Sequence, residues 1–128
     1  MNLLILALDP ASPVDVPDAE VLVVAPAVNS WLRHWLSDED AARRQAEERV
    51  SAYVDQLEKD GVHAEGRVGD ADPLQAIADA LLTFRADEVL IAAGSRAGAR
   101  AAGGLATRAR LRFSVPVSSV GESLPRAA

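Results

Sequence analysis

The sequence predicts a single α/β domain with a mostly parallel sheet, and three observations carry that expectation. The apolar runs at residues 3–8, 21–25 and 89–93 are unbroken rather than alternating, as in strands covered on both faces. Longer amphipathic stretches lie between them. Each run stops at a turn-former: Asp9-Pro10, Pro26 or Gly94. Strands alternating with helices imply a parallel sheet with helices on both faces and right-handed crossovers. Ligands in such folds bind beyond the carboxyl ends of the strands. At 128 residues the chain is long enough for one real core. Residues 1–120 are assigned to the domain and residues 121–128 to a disordered tail.

The first strand, residues 3–8, ends at Asp9-Pro10, where proline removes a ladder donor. Residues 10–18 carry Pro10, Pro13 and Pro17 and exclude an ordinary helix. Extended, the link to residue 21 spans about 36 Å, enough to travel back along a strand of roughly 17–20 Å. A parallel crossover without its helix is therefore feasible. If both strands stay in the sheet, the face such a helix would cover needs another cover. A partner chain, or the segment with Trp31 and Trp35 folding back, is expected there.

Ser37 is a suitable cap for a helix whose first turn holds Asp38, Glu39 and Asp40. Ala42, Ala46, Val50, Tyr53, Val54 and Leu57 recur at helical spacing, and Gly61 follows Lys59 as the stop. Residues 62–68 alternate weakly and form a short strand. Asp72-Pro73 opens a second helix, with Leu74, Ile77, Ala78 and Leu81 as its stripe and an end near Arg85. Gly94, Gly98, Gly103 and Gly104 are read as a turn before a third helix over residues 101–113, followed by a strand over 115–120.

The formal net charge of −6 gives no support for nucleic-acid or anionic-membrane binding. Arg96, Arg100, Arg108, Arg110 and Arg112 nevertheless gather beside the glycine turn, either to meet a small anion or to line the exposed side of the last helix. The absence of cysteine excludes disulfides and thiol nucleophiles. The apolar start is too short to span a membrane and lacks a basic flank, so the expected location is cytoplasmic. Abundant Arg and Ala beside a lone lysine, Lys59, suggest a GC-rich bacterial genome.

Gly94-Ser95-Arg96 does not complete a hydrolase elbow, because Ala93 precedes it where a glycine is needed two places before the serine. His34 and His63 are the available bases, and neither has a sequence link to Ser95. Asp70 and Asp72 suit magnesium but serve equally as a solvated side chain and a helix cap. Glu47-Glu48 and the 38–40 acids read as solvated helix charges rather than a catalytic pair.

In order and wording, residues 3–120 resemble the universal stress protein family. The likeness is closest in VLVVAP, in AARRQAEERVSAYVDQLEKDGV, in EGRVGDADPLQAIADALLTFRADEVLIAAGSR and in the closing proline-valine strand. The resemblance implies a five-stranded parallel sheet of order 3-2-1-4-5 and a homodimer joined through the last strand. In one branch it implies ATP held without obvious catalysis. Asp9 matches the aspartate that ends the first strand in ATP-binding members. The phosphate loop is altered. Gly94 fits its first glycine, Ala97 stands in place of the second, Gly98 falls one place late, and Gly103-Gly104 match the final pair only in a shortened loop.

The candidate nucleotide-binding residues are therefore Asp9, Gly69, Gly94, Ser95, Ala97, Gly98, Gly103, Gly104 and Thr107, in a degenerate set. A shorter loop with a methyl group at Ala97 offers fewer amides to phosphates. The expected protein is a noncatalytic, homodimeric regulatory or protective domain with weak or no ATP or AMP binding, and with room for an unknown protein partner. A slow ATP hydrolase and a ligand-free interaction module are the alternatives.

Overall fold

The structure, a computed structural model, describes residues 1–8, 16, 19–27, 39–93 and 96–119. Strands β1 (Asn2–Ala7), β2 (Glu20–Pro26), β3 (His63–Gly69), β4 (Glu88–Ala92) and β5 (Val117–Ser119) form one sheet in the order β3-β2-β1-β4-β5. Every pairing is parallel. This is the order that the family resemblance implies. Three described helices accompany the sheet: α1 (Glu39–Lys59), α2 (Pro73–Thr83) and α3 (Arg96–Arg112).

The unbroken apolar runs are explained by a core on each side of the sheet. Leu3, Ile5, Ala7, Val21, Val23 and Ala25 face one way and pack with Ala46, Val50, Tyr53 and Leu57 of α1. Their alternates Leu4, Leu6, Leu22 and Val24 face the other way, against α2 and α3. Successive side chains point to opposite faces of a strand, so a strand covered on both sides can carry no polar row.

β1 and β2 are parallel neighbours from Asn2↔Glu20 to Leu6↔Val24. Most of the link between them, including the expected absence of a crossover helix, lies outside the described residues. On the face expected to need another cover, Leu3 and Ile5 are buried within the single chain, and Val16 packs against their cluster. Trp31 and Trp35 lie outside the described residues, as do Ser37 and the tail.

Helix α1 stops as expected. Gly61 takes the left-handed conformation at φ 83°, and the amide of Val62 donates to the Leu57 carbonyl at 2.9 Å. Asp72 caps α2 by accepting from the Leu74 amide at 3.1 Å, with Pro73 in the first turn. That helix ends at Thr83 rather than near Arg85, because Phe84 is already extended (φ −129°, ψ 117°).

The larger correction concerns α3. It begins at Arg96 rather than Ala101, so Ala97 and Gly98 belong to the helix together with Gly103 and Gly104, and none of the four forms a turn ahead of it. Each interior glycine costs about 1 kcal/mol of helix propensity. Against that, Ala102, Leu105, Ala106 and Ala109 form a stripe that is buried against the sheet. Burial of that stripe outweighs the glycines.

Candidate functional site

The carboxyl edge of the sheet gathers the ends of β1 at Ala7, β2 at Pro26, β3 at Gly69 and β4 at Ala92. The chain leaves β1 toward one side and β4 toward the other, so the topological switch lies between them. They remain joined beyond their paired residues, with the Leu8 amide donating to the Ala92 carbonyl at 2.9 Å. Ala27 likewise donates to the Gly69 carbonyl at 3.2 Å. The edge is thus a continuous floor of backbone.

Among the described residues, one cation reaches this floor. The half-buried Arg49 of α1 places Nη1 3.4 Å from the Ala7 carbonyl and 3.4 Å from the Pro26 carbonyl. The guanidinium therefore bridges the ends of β1 and β2, beside the switch. Carbonyls at strand ends attract its charge, and the two hydrogens of this one nitrogen serve both of them. The sequence reading missed this residue. A signal was present, since Ala42, Ala46, Arg49 and Tyr53 share helical spacing and place one charge at the margin of a buried stripe.

The sequence-predicted ligand residues are only partly brought to this edge. Asp9, Gly94 and Ser95 lie outside the described residues. Gly69 is there, at the end of β3, and packing explains why it is glycine. An added Cβ would come within 2.8 Å of both the Ala76 Cβ and the Val24 Cγ1. Ala97 and Gly98 fall in the first turn of α3. Gly103 and Gly104 lie further down the helix, roughly 10–12 Å from its start at 1.5 Å per residue.

An added Cβ at Gly103 or Gly104 would meet nothing within 4 Å. Thr107 donates its hydroxyl back to the Gly103 carbonyl at 3.1 Å, the ordinary bond of a threonine one helical turn on. Inside a helix each amide is already used by the carbonyl four residues earlier. The amides of residues 103, 104 and 107 are therefore engaged within α3. Gly69, Arg49 and the first turn of α3 thus lie toward the carboxyl edge of the sheet, whereas Gly103, Gly104 and Thr107 lie further along α3.

Several of the remaining chemistry-bearing residues have local partners. Asp70 accepts from the Asp72 amide at 2.8 Å, so the acidic pair beside Pro73 builds the turn into α2. No cluster of three metal-ligating side chains occurs among the described residues. His63 opens β3 at the amino end of the sheet, 3.8 Å from Glu20 on the adjacent strand. That places it at the opposite end of the sheet from the carboxyl end of β4. His34 lies outside the described residues. Glu47 and Glu48 are exposed on α1. Arg100, Arg108 and Arg112 are exposed on α3, while Arg110 donates to the Val117 carbonyl at 2.8 Å and ties the helix to β5.

No family model matches the sequence, and no curated protein is detectably similar to it. Among solved structures the chain is similar to a crystal structure of a universal stress protein family protein from Arabidopsis thaliana with AMP bound. The two share 15% identity over 94% of this chain and 91% of that one, with a TM-score of 0.60. At that identity the likeness establishes a shared fold: the α/β architecture with the five-stranded parallel sheet is that of a universal stress protein.

Proposed function

We propose that this chain is a regulatory or protective protein of the universal stress type, noncatalytic and homodimeric, in which adenine-nucleotide binding is weak or absent. The observation that carries the reading is the extent of α3. A triphosphate cradle needs free backbone amides in a loop between β4 and the next helix. Here the helix runs from Arg96 to Arg112 and includes the positions that best match the loop's final glycines. Among the described residues, the carboxyl edge presents a floor of strand ends with Arg49 upon it. A noncatalytic role is further supported by the local engagement of Asp70, Asp72 and His63. Homodimerisation is supported by the position of β5 at one end of the sheet, where an edge strand offers unpaired backbone to a second copy.

A nucleotide-binding reading, including slow hydrolysis of ATP, is favoured by the AMP in the structurally similar plant protein. One experiment separates the two. Titration calorimetry with ATP, ADP and AMP, each with and without magnesium, is expected to give no saturation below millimolar ligand, and protein freshly purified is expected to carry no nucleotide. Micromolar ATP binding that strengthens with magnesium would favour the second reading. Sedimentation equilibrium of the same sample is expected to give twice the 13.5 kDa chain mass.

A further inference from the structure

The opposite edge of the sheet carries a feature that the nucleotide question does not touch. The carboxyl ends of α2 and α3, with the segments entering β4 and β5, border an open cleft of about 370 Å³. Its apolar walls include Leu81, Phe84, Phe113 and Val115, and Arg85 and Arg112 stand among them. The Arg112 guanidinium lies over the Phe113 ring, 5.4 Å from its centroid, which holds a positive charge against the apolar wall. Beside the cleft in sequence are Leu82 and Leu111, 84% and 88% exposed. Both leucines lie on the two helices whose ends border the cleft, each one residue in sequence from a lining residue.

Charge singles out the same surface. Residues 81–86 and 96–115 contain no aspartate or glutamate, although the chain as a whole carries a net charge of −6. The carboxylates nearest residues 81–86 in sequence are Asp79, which accepts from the Gln75 side chain, and Asp87, which accepts from the Asn2 amide. No carboxylate pairs with Arg85 or Arg112 among the described residues. Screening confines such a field to about 8 Å at physiological salt, so a partner feels this basic patch rather than the acidic remainder only when it lies on it.

We propose that this surface docks an acidic, leucine- or phenylalanine-bearing segment of a partner protein. An apolar side chain of the segment enters between Phe84 and Phe113, its carboxylates meet Arg85 and Arg112, and Leu82 and Leu111 extend the apolar contact. A cleft with aromatic walls and paired cations is how such segments are recognised. The apolar walls around the two arginines favour a polypeptide carrying an apolar side chain over a small anion, which would leave those walls uncovered.

The test is fluorescence polarisation of the full chain with three short fluorescein-labelled peptides: one of alternating acids with leucine and phenylalanine, its lysine counterpart, and an acidic version with serine in place of the apolar residues. Saturable binding of the first peptide alone is expected. It should weaken by about tenfold or more in the double variant Arg85→Glu, Arg112→Glu. Amide shifts on the unmutated protein should cluster at residues 81–86 and 111–115. The proposal is overturned if no peptide saturates, if the lysine or serine version binds equally, or if the shifts fall at the carboxyl edge. Binding of anilinonaphthalene sulfonate without any peptide binding overturns it in favour of a small ligand. Self-association abolished by Leu111→Glu, with no peptide bound, overturns it in favour of a second copy.

Discussion

Replacing Gly103 and Gly104 with alanine distinguishes a helix from a phosphate cradle in a single measurement. In the structure both glycines are interior to α3, and neither added Cβ would meet an atom within 4 Å. The substitution then removes backbone entropy from the unfolded chain and introduces no clash. Each change is worth about 0.5–1 kcal/mol in a helix interior, so the pair should stabilise the fold by about 1–2 kcal/mol. For a chain of this size each kcal/mol moves the melting temperature by about 3–5 °C, giving a rise of roughly 3–10 °C. Urea titration followed by circular dichroism at 222 nm would report the same change as a shift in midpoint at constant slope. Were these glycines to form a turn with left-handed backbone, alanine would strain them and the midpoint would fall. A fall, or a loss of measurable ATP affinity at unchanged stability, would refute the argument that the loop has become helix.

Three other outcomes follow from particular contacts. At Gly66 an added Cβ would approach the Val50 Cγ1 to 2.1 Å, and valine has little χ1 freedom to yield, so Gly66→Ala should cost about 1–3 kcal/mol in urea unfolding. Adding Val50→Ala should recover part of that loss in a double-mutant cycle, and additive costs would mean that α1 does not sit on Gly66. Asp72→Ala removes the cap on α2 and should cost about 1 kcal/mol, with Asp72→Asn nearly neutral. Arg49→Met keeps the stem but leaves the Ala7 and Pro26 carbonyls without the guanidinium. At 3.4 Å those bonds are long, so a loss of about 1 kcal/mol is expected, read by thermal melting. A loss of several kcal/mol would mean that Arg49 anchors α1 more strongly than these distances imply.

The placement of elements was legible in the residues because burial on both faces of a sheet permits only continuous apolar runs. Leu3, Leu4, Ile5 and Leu6 could hardly be anything else. Asp72-Pro73 and Gly61 marked helix ends through local chemistry, which acts within a few residues and needs no tertiary partner. The strand order was implied by family likeness rather than by pattern, since periodicity does not say which strands are neighbours.

The candidate site was legible only in part, and α3 shows why. Glycine is permitted in turns and merely disfavoured in helices, so Gly98, Gly103 and Gly104 suggested flexible backbone. What decided their state was a stripe of Ala102, Leu105, Ala106 and Ala109 that gains its value only against the sheet. Arg49 was hidden for the matching reason. A charge beside a buried stripe is ordinary in sequence, and its meaning comes from two carbonyls at the ends of strands, one of them 42 positions away and the other 23. Local chemistry and the solvent preference of each residue, which the chain carries everywhere, set what the elements are. Contacts between distant segments, which exist only once the chain has closed on itself, set which backbone is free to meet a ligand and which is already spent in a helix.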